Sequence, residues 1–379
     1  MCLKKKEICD IIEKIVRKCR TMAELSHLID LNDFTPAQWN TIVSLAHEIM
    51  SAPMVYAGAC RGKIMGTLFY EPSTRTQMSF QTAMLRLGGG IIGFDNPSTS
   101  SVAKGENLKD TTKIVSGYSD ILVMRHPLEG ASKAAALTAD CPVINAGDGG
   151  HLHPTQTLTD LLTLREEKGR LSDLTVGFCG DLKNGRTVHS LLKALSCFEG
   201  NKFILVSTQE LKVPTYIKDY ISASGKTYEE YSSLEEVMPK LDVLYMTRIQ
   251  RERFGSPEEY EKQKNVYCLD AKKMKLASPD LIVLHPLPRV DEIAVEVDDD
   301  PRALYFKQAN YGMYVRMALI LCMLDYRLES KPLLSGKVIS EVKCTNPRCI
   351  THTEAYLPHS FRKNGDVLEC EYCDERILI

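Results

Sequence analysis

Long apolar runs are missing from this 379-residue chain, and so is any strong bias of charge. No stretch approaches the ~20 apolar residues that a membrane-crossing helix needs, so no membrane role is expected. The opening segment MCLKKKEICDIIEKIVRKCR is basic, but charges interrupt each short apolar run, whereas a secretory leader needs an unbroken one. A cytoplasmic address follows. Lys and Arg total 47 against 49 Asp and Glu, a net charge of −2, which gives no whole-molecule attraction to nucleic acid. Any anion site must therefore be built locally, from a few cations placed in one cleft. Fixed-period repeats and low-complexity tracts are absent too, which excludes repeat arrays. The apolar (44%) and charged (25%) fractions are those of an ordinary globular protein. The length exceeds what one core usually fills, so two or three domains are expected.

Cysteine breaks this evenness, with thirteen residues. Nine are scattered (Cys2, Cys9, Cys19, Cys60, Cys141, Cys179, Cys197, Cys268 and Cys322), and several lie in apolar stretches where a reduced thiol is a small buried side chain. The other four are bunched as Cys344-x4-Cys349, then twenty residues, then Cys370-x2-Cys373. Two close pairs of thiolates can make a tetrahedral site for a structural zinc ion, which holds a segment too small to have its own core. His352 and His359 are spare candidates. The runs GKVISEVKC and GDVLECEYC predict a small β ribbon around the site.

Upstream of the tail the pattern alternates. Residues 1–24 read as one helix with Ile8, Ile11, Ile12, Ile15 and Val16 at helical spacing. Then GKIMGTLFY (strand), STRTQMSFQTAMLRLG (helix), SDILVMRH (strand) and TQTLTDLLTLREEKG (helix) follow. LTVGFCGDL, KFILVS, DVLYMT and DLIVLHPLP read as further strands, with TVHSLLKALSCF and SLEEVMPKL as helices. Apolar strands alternating with amphipathic helices predict an α/β fold with two parallel sheets, joined near DGGHLHPTQ.

Ligands in such sheets sit beyond the carboxyl ends of the strands. Those ends carry Glu71-Pro72-Ser73-Thr74-Arg75-Thr76, Arg125-His126-Pro127, Gly180 to Arg186, Thr247-Arg248-Ile249-Gln250 and His285-Pro286-Leu287-Pro288-Arg289. Nearly every strand delivers an arginine to the same edge, so the expected ligand carries several negative charges. Ser73 or Thr74 can cap the helix that follows, and free backbone N–H groups there form an anion site. Arg75 adds a planar fork suited to phosphate oxygens. Glu71 reads as a partner that positions a nearby arginine. Arg253 and Arg289 fit substrate contact and salt bridging equally. His126, His151, His189 and His285 read as structural.

Seven blocks carry a resemblance: FYEPSTRT, NPSTSSVAKGENLKDT, VMRHPLEG, NAGDGGHLHPTQTLTDL, GDLKNGRTVHSL, LYMTRIQRER and VLHPLPRVDEIAVEVD. In order and spacing, from about Leu25 to Arg327, they resemble the catalytic chains of aspartate carbamoyltransferases. The tail resembles the zinc domain of the separate regulatory chain of the bacterial enzymes, without its nucleotide-binding part, so no nucleotide feedback through this chain alone is expected.

The resemblance implies two doubly wound parallel-sheet domains of the carbamoyltransferase fold plus a small zinc-binding β domain. The expected boundaries are an N-terminal extension (1–24), a carbamoyl phosphate-binding domain (25–154 with 310–330), an aspartate-binding domain (155–309) and the zinc domain (335–379). It implies transfer of the carbamoyl group of carbamoyl phosphate to L-aspartate in pyrimidine biosynthesis, with no catalytic cofactor. Ser73, Thr74, Arg75 and Thr76 would bind the phosphate. Thr76, Arg125 and His153 would polarise the carbamoyl oxygen, while Gln156 and the Leu287 and Pro288 backbone hold the amide. Arg186, Arg248 and Gln250, together with Lys104, would bind aspartate. Ser100 and Lys104 would reach the active site of a neighbouring subunit, implying a homotrimer, with pairing of trimers left open. Ornithine, the rival acceptor, goes with a cysteine in the HPLP motif, which Pro286-Leu287-Pro288 lacks. The tail's expected role is structural, with activity surviving its removal better than assembly does.

Overall fold

The computed structural model describes residues 27–249, 256–263, 266–324 and 334–378. The helix expected over 1–24, together with Gln250, Arg253 and the expected linker at Lys331-Pro332, lies outside these residues. The chain forms two compact units. One comprises the described residues up to Thr155 and those from Met313 onward, and the other is Gln156–Gly312.

The first unit opens with α1 (Pro36–Ser51). Its start is written locally: Thr35 and Gln38 exchange hydrogen bonds as a capping box, and Pro36 sits where its missing N–H costs nothing. Next come β1 (Ile64–Phe69), α2 (Thr74–Arg86), β2 (Gly90–Phe94), α3 (Leu108–Tyr118), β3 (Ile121–His126), α4 (Ala131–Ala136) and β4 (Val143–Asp148). The four strands form a parallel sheet in the order β2-β1-β3-β4. The order reverses direction between β1 and β3, which opens a crevice beyond their carboxyl ends. β3 is buried along most of its length, as its near-continuous apolar sequence requires of a strand covered on both faces.

Helix α5 (Pro154–Lys168) carries the chain into the second unit. There β5 (Thr175–Cys179), α6 (Arg186–Ser196), β6 (Lys202–Val206), α7 (Thr215–Ala223), β7 (Thr227–Tyr231), β8 (Val243–Met246), α8 (Pro257–Gln263), α9 (Ala271–Met274) and β9 (Ile282–Leu284) follow. The sheet is again parallel, in the order β7-β6-β5-β8-β9, with its reversal between β5 and β8. One expected helix is absent. SLEEVMPKL is a bend and turns ending in a short 3-10 turn at Met238–Lys240. Pro239 supplies no N–H and disfavours helical backbone at Met238, so the amphipathic pattern could not propagate.

Helix α10 (Tyr305–Leu324) returns the chain to the first unit. The tail then forms β10 (Lys337–Val338), β11 (Ser360–Asn364), β12 (Val367–Cys370) and β13 (Arg376–Leu378), an antiparallel sheet in chain order. This sheet has no separate core. Ile350, Leu357, Phe361, Leu368 and Tyr372 join one apolar cluster with Leu122, Met124 and the alanines of α4. Small side chains on α4 allow that close approach. Gly130 shows how close it is: with φ at +83°, a Cβ there would lie 2.6 Å from the Tyr372 carbonyl oxygen. The backbone is joined as well, by Glu129 N–H to Arg348 O (2.9 Å) and Ile350 N–H to Glu129 O (2.9 Å).

Burial also sets a pH dependence. Desolvation pushes the His126 ring down to about 4, against the opposing pull of Asp148. Its neutral Nδ1 accepts the Leu128 N–H at 3.0 Å. The folded pKa lies below the unfolded value of about 6.5, so the stabilisation is full above that pH and is lost as pH falls toward 4, amounting to about 3 kcal/mol. The melting temperature should fall over this window. His126→Asn, whose side-chain oxygen can accept the same N–H, should flatten part of the decline.

Candidate active site and metal centre

The crevice between β1 and β3 receives the first group of candidates. Ser73 is the N-cap of α2 but makes no side-chain capping hydrogen bond, contrary to the expected hydroxyl cap. Its backbone, at φ −155° and ψ 76°, departs from the usual extended capping geometry. The first-turn N–H groups are therefore not consumed by that hydroxyl and remain donors for an anion. Thr76 is buried and Arg75 is exposed at this helix start.

Arg125, at the end of β3, is fixed from two sides. Its Nη2 pairs with Glu71 Oε1 at 2.7 Å, and its Nη1 donates to Ala146 O at 3.1 Å. The sequence reading of Glu71 as an arginine-positioning carboxylate is thus realised in the geometry. Arg125 Nε is buried without a hydrogen-bond partner. Partial desolvation at the base of its exposed side chain and the nearby Arg125 charge lower the Arg75 pKa. Two like charges held close to each other favour a ligand with more than one negative charge. His153 is buried one residue before α5, with Nδ1 3.4 Å from Thr155 Oγ1.

Ser100 and Lys104 lie on the segment between β2 and α3, on or beside a 3-10 turn at Ser101–Lys104. The Ser100 hydroxyl donates to Pro97 O at 2.8 Å, and Lys104 is exposed.

In the second unit, Arg186 starts α6 after β5, and Arg248 lies just past β8. Their parent strands are paired neighbours flanking the reversal of that sheet. Both arginines are half-buried. Gln156 Nε2 donates to Asp160 Oδ1 at 2.8 Å, and that oxygen also accepts Gln308 Nε2 at 2.7 Å. Tyr245 donates to the other oxygen at 3.2 Å. The fully buried Asp160 thereby fixes the Gln156 amide, engaging its nitrogen and orienting its carbonyl oxygen.

Beyond β9, Leu287 has φ +55° and precedes a cis peptide to Pro288. Its N–H bonds to His285 Nδ1 at 2.7 Å, and His285 Nε2 meets Glu292 Oε1 at 2.8 Å. His285 thus shapes the loop, as a structural histidine. Arg289 is held by Asp298 and Tyr305, which gives it the salt-bridging alternative. His189 donates from Nε2 to Leu182 O at 2.8 Å.

Sequence reasoning passed over Asp160, Asp148 and Glu129. Asp160 alone left a signal, four residues after Gln156 on one helix face. Glu129 acts through contacts with the tail that no local spacing announces, and Asp148 meets the tail only through His151.

The four tail cysteines converge. Cys344, Cys349, Cys370 and Cys373 are all buried, with their sulfurs within 4.8 Å of one another. Cys344 and Cys373 Sγ are 3.5 Å apart, Cys349 and Cys370 Sγ 3.8 Å. A tetrahedral ion with bonds of about 2.3 Å to sulfur requires edges of about 3.8 Å, so the donors fit a structural metal. Hydrogen bonds among the four sulfurs lower the Cys349 thiol and raise those of Cys344 and Cys373, so one sulfur, that of Cys349, carries the charge that the others share, and Thr351 Oγ1 donates to it at 3.2 Å. Anionic sulfur is the form a metal binds. Among the described residues, no helix is long and apolar enough to cross a membrane.

Comparison with known proteins agrees along the chain. Residues 26–166 match the carbamoyl-P binding domain, and residues 172–323 the Asp/Orn binding domain, of the aspartate/ornithine carbamoyltransferases. Residues 337–378 match the metal binding domain of the aspartate carbamoyltransferase regulatory chain. An aspartate carbamoyltransferase catalytic subunit from Clostridium perfringens is 60% identical over 304 residues, covering 80% of this chain and 99% of the relative. One from Clostridium novyi is 57% identical over 299 residues, covering 79% and 98%. Among solved structures, the catalytic subunit of M. jannaschii aspartate transcarbamoylase aligns with a TM-score of 0.75 at 46% identity, covering 79% of this chain and 98% of that one. The Trypanosoma cruzi enzyme in complex with carbamoyl phosphate and aspartate aligns with a TM-score of 0.75 at 40% identity, with the same coverage. By fold, sequence and domain content, the chain belongs to the aspartate/ornithine carbamoyltransferase family and carries at its C-terminus a metal-binding domain of the regulatory-chain type.

Proposed function

We propose that the protein is an aspartate carbamoyltransferase, forming N-carbamoyl-L-aspartate and phosphate from carbamoyl phosphate and L-aspartate. The observation that carries this reading is the arginine placement: each parallel sheet presents guanidinium groups beyond the strands that flank its reversal. Family membership then selects the substrates.

In the first unit, the start of α2 binds the donor phosphate through backbone N–H groups, Ser73, Thr74, Thr76 and Arg75. Thr76, Arg125 and His153 donate hydrogen bonds to the carbamoyl oxygen. Attack by the aspartate amine builds negative charge on that oxygen, and one preorganised donor there is worth about 3–4 kcal/mol. Arg125 suits the role because Glu71 and Ala146 O fix its plane in advance. Nitrogen bonds to the carbonyl carbon, the bond to the phosphate oxygen breaks, and the departing phosphate takes the amine proton. Arg75 stabilises the charge that accumulates on it. Gln156, held by Asp160, accepts from the carbamoyl NH2 together with the Leu287 and Pro288 backbone. No nucleophilic side chain is needed, because positioning both substrates replaces much of the barrier.

Arg186, Arg248 and Gln250 bind the two carboxylates of aspartate. Lys104 and Ser100, on an exposed segment, serve the site of an adjoining protomer, so the working unit is a homotrimer acting in the cytoplasm. The metal is zinc, for which four thiolates are a common structural ligand set.

Purified protein should form carbamoyl-aspartate with release of phosphate, and ornithine in place of aspartate should give no product. Arg186→Ala and Arg248→Ala should each raise the KM for aspartate by about 30-fold, as expected when a charged ligand group loses its partner at about 2 kcal/mol. The KM for carbamoyl phosphate should stay within about twofold. Equal activity with ornithine would reject the acceptor assignment.

A further inference from the structure

The docked tail touches the two segments that frame Arg125 and His153, and it does so through carboxylates. Asp148, fully buried at the end of β4, binds the Gly130 and Leu152 N–H groups at 2.9 and 3.1 Å and His151 Nδ1 at 3.1 Å. The opposite ring nitrogen, His151 Nε2, meets Asp374 Oδ2 at 2.9 Å. Asp374 immediately follows the last metal-binding cysteine and is steadied by Arg362 Nη2 at 2.9 Å. Glu129 forms a second bridge. One of its oxygens accepts the Gly150 N–H at 3.2 Å and the other Asn346 Nδ2 at 2.7 Å. Arg348 adds a bond from Nη2 to Pro127 O at 3.1 Å.

The turn 149–152, immediately before His153, is therefore clasped between the tail and the β4 end. A ring with a carboxylate at each nitrogen is held as a doubly protonated imidazolium: burial opposes the charge, but Asp148 and Asp374 outweigh it. Such a bridge has one geometry and little freedom to relax.

We propose that His151 is a positioning residue through which the metal-loaded tail fixes the loop bearing His153 and so sets the affinity for the phosphorylated donor. Asp374 supplies the tail's side of the bridge, and Glu129 with Asn346 supports it in parallel. The inference rests on the reading of His153 as a donor-site group. It gives the fused domain a part in substrate binding beyond holding the assembly together.

The test uses the full-length chain. His151→Ala, Asp374→Ala, the double variant and Asp374→Asn are compared for zinc content, for binding of inorganic phosphate by calorimetry, and for both KM values. Each single alanine variant should weaken phosphate and raise the KM for carbamoyl phosphate about tenfold, within the range of site-to-site coupling. The KM for aspartate should move less than twofold. The double variant should be no worse than either single one, and Asp374→Asn, which still accepts the ring N–H, should recover most of the loss. If Asp374→Ala sheds zinc, His151→Ala, which lies outside the tail, decides. Unchanged phosphate affinity in His151→Ala, or additive losses in the double variant, would overturn the proposal. Wild-type protein that forms no carbamoyl-aspartate would instead refute the reading beneath it.

Discussion

Arg75→Ala should lower kcat by about 10³-fold, a loss of roughly 4 kcal/mol in transition-state stabilisation. Both its exposure and its chemistry lead to this expectation. Arg75 stands in the first turn of α2, where no hydroxyl cap competes for the backbone donors, and its charge adds to that of nearby Arg125. Charge on the leaving phosphate grows as the bond to carbon breaks, so this guanidinium acts mostly on the transition state. A loss in kcat larger than the rise in KM is the signature of that kind of contact. Because the side chain is exposed, the fold should barely notice, and the melting temperature should match wild type within about 2 °C. Phosphate-release kinetics and a thermal scan on the same sample separate the two effects. A decrease in kcat below tenfold would remove Arg75 from the proposed mechanism.

Stripping the metal, or replacing Cys349 by serine, should unfold residues 337–378 while the second unit keeps its structure. The tail sheet has short strands, and its apolar residues complete a cluster begun by β3 and α4. Little apolar area is therefore internal to the tail itself. Metal binding in small thiolate domains supplies about 10–16 kcal/mol of apparent folding free energy, far more than this sheet could replace. Hydrogen exchange should become fast across β11 and β12 and remain slow across β5 and β8. Leu122, Met124 and the α4 alanines would lose their cover, so the stripped protein should also aggregate more readily. Persistent protection of β11 and β12 without metal would contradict this account.

Much of this was legible in the sequence because the relevant signals are local. Alternating apolar strands and amphipathic helices announced parallel sheets, and the residues just past each strand exposed the arginines. Which strands flank each reversal was not legible, since strand order depends on pairing between distant segments. That order is what singles out the ends of β1 and β3, and of β5 and β8, from the other strand ends. The missing helix at SLEEVMPKL shows a propensity reading overridden by one proline. The open N-cap at Ser73 shows a local rule broken at a proposed functional site, where a satisfied cap would have occupied the anion's donors. The four cysteines gave away the metal centre by spacing alone. Their domain's seat on α4 could not be read, because alanines on a short helix carry no hint of what covers them.

Fusion of the tail also leaves an evolutionary mark. At residue 130 the obstacle to a side chain is the Tyr372 main chain, which no change of amino acid at 372 can remove. Lineages that keep the tail seated should be confined to glycine there. The φ of +83° favours glycine with or without the tail, so the seated tail adds a second constraint: even asparagine and aspartate, which tolerate such a backbone elsewhere, are shut out while the Tyr372 main chain lies there.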